Sequence, residues 1–200
     1  MARRTFFSFY HKPDVWRAWN VRNSWVVKPD EQIDEGFFDS SVFEAKKRND
    51  DDTLKAFLRD ALKNTSVTCV LAGSDTWTRR WVRYEIVRSV VKGNGLLTVD
   101  IHSVKDKDGN VVNKGADPLA NIGLYKASSG ILFAEWKSGK WVKYEDYTLT
   151  IAASDLWFEA PKDDNVVQLS NHCMRYDYIA QSGRNNISGW IETAAGLAGR

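Results

Sequence analysis

The chain has 200 residues, 43% of them hydrophobic, enough for one domain with a sizeable core. Its 28 basic and 26 acidic residues leave a net charge of +2, which offers no basic stripe for a nucleic acid and neither favours nor excludes a nucleotide. The apolar run after Met1-Ala2-Arg3-Arg4 ends by Tyr10, too short for a signal peptide, and no apolar span approaches membrane length. Cys69 and Cys173 stand far apart, Cys69 inside a predicted core strand, so both read as reduced thiols of a cytoplasmic protein.

Thr5-Phe6-Phe7-Ser8-Phe9-Tyr10, β-branched and aromatic, reads as the first strand. Pro13 and Asp14 suit the first turn of a helix that continues through Trp16 and Trp19 to about Trp25. Residues 28–36 read as a polar loop, and Phe37-Phe38-Asp39-Ser40 as a short second strand with its exit. Asp50-Asp51-Asp52 place carboxylates at a helix start. Leu54, Phe57, Leu58, Ala61 and Leu62 give that helix one apolar face, and Asn64 stops it.

Ser66-Val67-Thr68-Cys69-Val70-Leu71-Ala72 and Leu96-Leu97-Thr98-Val99-Asp100-Ile101 are nearly unbroken apolar runs, the pattern of strands buried on both faces. The helix between them, from Arg79 to Lys92, completes a parallel strand-helix-strand unit, whose ligand belongs at the carboxyl ends of the strands. Ile131 to Trp136 and Lys140 to Tyr144 flank Lys137-Ser138-Gly139 as an aromatic hairpin at one side of the sheet. A helix around Tyr176 to Ala180 and a terminal helical stretch over Ile187 to Ala195 are predicted, with the final Gly-Leu-Ala-Gly-Arg frayed. With no repeat and no linker, residues 1–200 read as a single domain: a core over about 4–125, then a hairpin and C-terminal extension over about 126–195.

Candidate functional residues gather at the predicted mouth of the sheet. At about 100° per residue, Val82, Ile86 and Val90 form the buried face of their helix and leave Glu85 at its edge, beside Trp81 one turn earlier. A carboxylate there either pairs with Arg88, its i+3 neighbour, or faces a cleft. Trp81 either packs its helix or walls that cleft. Phe7, Ser8 and Phe9 end the first strand, where alternation sends Ser8 and Phe9 to opposite faces, and Phe9 or Tyr10 is placed to stack on a base. Asp39 and Ser40 read as ligand contacts or as a turn, and Ser74 as a ribose contact or a loop cap. The Arg79-Arg80 pair either meets a pyrophosphate or is solvated. His11, His102 and His172 share no ligand spacing with the cysteines, so no metal site is expected. Gly93-Asn94-Gly95 is a helix stop, so dinucleotide binding in the Rossmann manner is unsupported.

Trp81-x-x-x-Glu85 sits in a particular context: Phe6-Phe7-Ser8-Phe9 at the start, Phe38-Asp39-Ser40-Ser41, then Asn64-Thr65-Ser66-Val67-Thr68-Cys69-Val70-Leu71 ahead of Arg79-Arg80-Trp81-Val82-Arg83-Tyr84-Glu85-Ile86. Together these segments resemble the TIR (Toll/interleukin-1 receptor) domain family, and within it the TIR-like proteins of the Thoeris bacterial anti-phage system. The similarity continues through Lys105-Asp106-Lys107-Asp108-Gly109-Asn110 and the Glu135-Trp136 and Lys140-Trp141 hairpin, and weakens after about Glu159. The resemblance implies an α/β, flavodoxin-like TIR fold: a central parallel sheet with helices on both faces, a late β-hairpin and a C-terminal helical extension. It implies cleavage of NAD, taken as substrate with no cofactor, and formation of a cyclic ADP-ribose isomer that reaches a separate effector as a second messenger. Glu85 is the implied catalytic residue, with Phe7, Ser8, Phe9, Tyr10, Asp39, Ser40, Ser74 and Trp81 as substrate contacts. A homo-oligomer or a phage-derived trigger is an implied partner; a nucleic acid or a membrane is not.

The chemistry suits so small a set. Breaking the nicotinamide–ribose bond develops positive charge on the ribose carbon, as in glycoside hydrolysis. Nicotinamide leaves as a neutral molecule, so one carboxylate and an aromatic clamp suffice. The alternative reading is a TIR-like adaptor that assembles with other TIR domains and carries no chemistry. A fainter one is a nucleoside deoxyribosyltransferase-like enzyme, which would exchange bases on a nucleoside.

Overall fold

The computed structural model describes residues 3–26 and 51–200. The expected second strand at Phe37 to Ser40, and with it Asp39 and Ser40, lies outside the described residues. In chain order the strands are Thr5–Phe9 (β1), Val67–Ala72 (β2), Gly95–Asp100 (β3), Ile122–Ala127 (β4), Gly130–Lys137 (β5), Lys140–Lys143 (β6), Val167–Gln168 (β7) and Met174–Asp177 (β8). The described α-helices are His11–Val26 (α1), Asp51–Leu62 (α2), Arg80–Lys92 (α3) and Gly183–Leu197 (α4).

The apolar runs do form parallel strands buried on both faces, in the order β1-β2-β3-β8. Alternation divides their side chains. Cys69, Leu71, Leu97 and Val99 face one way, into a core closed by Ala18 and Val21 of α1 and by Ile187, Ile191 and Ala194 of α4. Val70 and Leu96 face the other way, onto Val82, Ile86 and Val90 of α3. Helices on both faces of a parallel sheet, as the sequence implied, are thus what the structure holds.

The late hairpin is part of a second, antiparallel sheet in the order β6-β5-β4-β7. Its two-residue turn has Ser138 at φ 51° and Gly139 at φ 80°, the left-handed pair that matches strand twist in a tight hairpin. Ile122, Leu124, Ile131 and Phe133 of this sheet join the core that α3 shares with β2 and β3. From the side, Leu54 and Leu58 of α2 pack on Tyr84. Enclosed in this way, α3 leaves only Arg80 exposed.

Two expectations are corrected. Residues Tyr176 to Ala180 are not a helix: Met174–Asp177 is the fourth strand of the parallel sheet, and a turn follows in which the Asp177 carboxylate accepts from the Ile179 and Ala180 amides. Tyr176 stacks on Trp190 of α4 with ring centroids 4.4 Å apart, which fixes this strand against the helix beside it. The C-terminal residues are not frayed either. The Arg200 guanidinium donates to the carbonyls of Lys92 and Gly93 and satisfies the open end of α3. β4 crosses residue 125, and β8 returns to the first sheet from the C-terminal part of the chain. None of the described helices is long and apolar enough to cross a membrane.

Candidate active site

Parity along β1 builds the centre of the site. Phe7 points into the α1/α4 core, so Ser8 points to the α3 side, where its hydroxyl donates to Oε2 of Glu85. Glu85 is only 6% exposed. Burial pushes its carboxyl up to about 8, with the Ser8 hydrogen bond pulling weakly the other way. Below Glu85 on the same helix face, Ser89 donates to the Glu85 carbonyl (2.7 Å) and shares a hydrogen bond with Thr68 of β2 (2.7 Å). This ties α3 to the sheet under the site.

No cation among the described residues neutralises Glu85. Arg88, the alternative partner from helical spacing, lies instead 5.4 Å from the Tyr147 ring centroid, towards the second sheet. A buried carboxyl that holds only a hydroxyl remains available to a ligand with positive charge.

The loop after β2 brings up a second buried carboxylate. The Gly73 amide donates to the Thr76 hydroxyl (2.9 Å), which in turn donates to Asp14 of α1 (3.4 Å). Burial raises Asp14 to about 6, opposed by Arg17 at 3.6 Å and by the Thr76 hydroxyl. A side chain at position 73 would overlap the Asp14 carboxylate, which is why glycine stands there. Ser74 is half-buried with its hydroxyl 3.1 Å from Asp75.

Across the mouth, Asp100 at the end of β3 is buried and saturated. Arg175 of β8 grips it with Nε (3.0 Å) and Nη2 (2.7 Å), and Lys114 adds a third contact at 2.8 Å. Arg175 also donates to the Gly115 carbonyl, and Arg17 to those of Val104 and Asn110. These bonds strap residues 101–117 over the ends of β2 and β3, with Gly115 drawn close to the carbonyls of Gly73 and Ser74. Unused polar capacity is left on the other side, over β1 and the start of α3. There the Arg79 guanidinium carbon lies 3.8 Å from the Tyr10 ring centroid.

The expected residues therefore separate. Ser8 meets Glu85, and Tyr10 lies under Arg79 at the end of the same strand. Phe7 is core, and half-buried Phe9 packs on that core with its ring 6.1 Å from the ring of His11. Trp81 meets Tyr84 edge-on at 6.0 Å, beside the α2 face, and carries Arg80 at 4.7 Å over its ring. Asp14, Asp100 and Arg175 were not singled out for the site. Asp14 read as a helix-start charge, and nothing local ties it to Thr76, 62 residues away.

A sequence model described as "Thoeris protein ThsB, TIR-like domain" matches residues 6–106, a span that runs from β1 through α3 and β3 into the strapped loop. A protein of Bacillus cereus (strain MSX-D12) named "Putative cyclic ADP-D-ribose synthase ThsB1" is 40% identical over 196 residues, covering 96% of this chain and 100% of that one. The carboxylate at the mouth of a parallel sheet thus lies within the matched span, and the relative extends the likeness to the second sheet and α4: the chain belongs to the TIR-like family of the Thoeris ThsB proteins.

Proposed function

We propose that this protein is a bacterial anti-phage enzyme that cleaves NAD, releases nicotinamide and closes the ADP-ribose remainder into a cyclic isomer, a second messenger for a separate effector. The observation that carries the reading is Glu85: a buried carboxyl at the mouth of the parallel sheet with Ser8 as its hydrogen-bond partner and no cation against it among the described residues. The name of the 40% identical relative supports the same product class.

The electrostatics suit this substrate. Without ligand, desolvation keeps the Glu85 carboxyl largely protonated at neutral pH. The nicotinamide ring of NAD carries a positive charge, and its arrival favours the ionised carboxylate. As the glycosidic bond breaks, its electron pair neutralises the ring nitrogen and the positive charge passes to the ribose carbon. Glu85 therefore faces a cation in the ground state and in the transition state, with little water to screen it. The Ser8 hydroxyl donates to the ionised form and holds the carboxylate towards the β1 side of the mouth. Attack on the ribose carbon by an atom of the same molecule gives a cyclic product; attack by water gives ADP-ribose and a proton.

The reading is tested by chromatography with mass detection on extracts of phage-challenged cells that express the protein or its Glu85→Gln variant. A product with the mass of cyclised ADP-ribose, absent from the variant, is expected. ADP-ribose and nicotinamide alone would make the protein a hydrolase that depletes NAD. Matching extracts under several phages would reject catalysis and leave an assembly role.

A further inference from the structure

Two arginines stand at the start of α3, Arg79 as its cap and Arg80 as its first residue, and the fold uses them differently. Arg80 is paired: it donates twice to Asp146 (2.8 and 2.6 Å) and once to Asp51 (2.6 Å). The Arg79 guanidinium makes no hydrogen bond or ion pair among the described residues, and its Nε is buried without a partner. What holds it is the face of Tyr10, 3.8 Å away. A stacked guanidinium spends its face on the ring and keeps its N–H donors, which lie in the plane, for another group. Leaving the buried Nε unpaired is costly unless an acceptor arrives. In-plane donors in a fixed fork match the oxygens of a phosphate.

The location fits one part of the substrate. Tyr10 lies two residues beyond Ser8, whose hydroxyl meets Glu85. Along α3, Arg79 precedes Glu85 by six residues, about 9 Å at 1.5 Å per residue, a span of the order of a ribose with its phosphate. The amides of the first turn of α3 lie beside Arg79 and add positive potential. Residues 101–117 are strapped over the other side of the mouth.

We propose that Arg79, steadied by Tyr10, binds the pyrophosphate of the dinucleotide and so sets where the ribose carbon lies against Glu85. This rests on NAD as substrate and adds a basis for selectivity: nicotinamide nucleosides without the pyrophosphate lose the anchor. Arg79 is then a substrate-binding residue, and Tyr10 acts through it.

The test is titration calorimetry in a Glu85→Gln background, which does not turn over. ADP-ribose, NAD and nicotinamide riboside are the probes, and each variant is first checked by its melting temperature. Arg79→Met should weaken ADP-ribose binding tenfold or more, flatten its salt dependence and leave nicotinamide riboside unchanged. Arg79→Lys keeps the charge without the fork and should recover part of the affinity; it also carries the comparison if the Met variant does not fold. Unchanged ADP-ribose affinity, or a parallel loss of ADP-ribose and nicotinamide riboside, would overturn the role of Arg79 while leaving the NAD reading standing. A parent that binds neither ADP-ribose nor NAD would remove the NAD reading, and the anchor with it.

Discussion

Glu85 and Asp100 are both buried carboxylates at the carboxyl edge of the parallel sheet, and they have been given opposite surroundings. Asp100 is enclosed by a two-pronged arginine and a lysine, so its charge is spent on holding β3, β8 and the strapped loop together. Glu85 has a hydroxyl and, among the described residues, no cation, and burial lifts it to about 8. Burial does not by itself mark a functional acid. What separates the two is whether the fold has already answered the charge.

The comparison is sharpest in activity. Glu85→Gln should lower formation of the cyclised product by about 1,000-fold or more, as expected when a charge-stabilising group is removed from a dry site. Product formation within tenfold of wild type would remove Glu85 from the chemistry. Next comes stability at Asp100. Asp100→Asn leaves Arg175 without its buried partner and should cost about 3 kcal/mol in urea unfolding, the usual penalty for half of a buried ion pair. A cost below about 1 kcal/mol would show that Lys114 and Arg175 find water instead.

A smaller effect is expected at Ser8. Its hydroxyl favours the ionised form of Glu85, so Ser8→Ala should push the carboxyl higher still. The rising limb of kcat/KM against pH should move to alkaline pH in purified protein, with about tenfold lost near neutrality and recovered above it. A uniform loss at every pH would mean that the hydroxyl touches substrate and leaves the carboxylate alone. The last effect is on wild-type stability and is confined to a window of pH. Unfolded, Glu85 titrates near 4.5, and folded near 8, so between those values the native state holds a proton that the unfolded state has released. Stability falls as pH rises through that window. Glu85→Gln has no such proton, so its melting temperature should exceed that of wild type by about 10 °C or more at pH 8 and converge with it below pH 4.5. A gap independent of pH would exclude burial of the carboxyl as its cause.

Where charge and partner lie far apart in sequence, the residues gave little warning. β2, α3 and β3 were legible because Val67 to Ala72 and Leu96 to Ile101 are apolar runs, and because Val82, Ile86 and Val90 repeat at helical spacing. The edge position of Glu85 followed from the same spacing. Its freedom from Arg88 did not, since that depends on Tyr147 in the segment after β6. β8 escaped because Arg175, a central residue of the strand, is charged; it is tolerated there only because Asp100, 75 residues earlier, faces it. The contrast between Arg79 and Arg80 was hidden for the same reason, as Tyr10, Asp51 and Asp146 come from three distant segments.

The enclosure of α3 also bears on how this helix can evolve. An ordinary surface helix such as α2, with Asp51, Asp52, Arg59 and Asp60 outside, has a face on which mutations accumulate at little cost. On α3 that freedom shrinks to Arg80, because the parallel sheet, α2 and the second sheet each occupy a side. Saturation mutagenesis should therefore find tolerated substitutions recurring every three or four positions along α2, and no such rhythm along α3. The helix that carries Glu85 would change slowly along its whole length, including at positions that never approach a ligand.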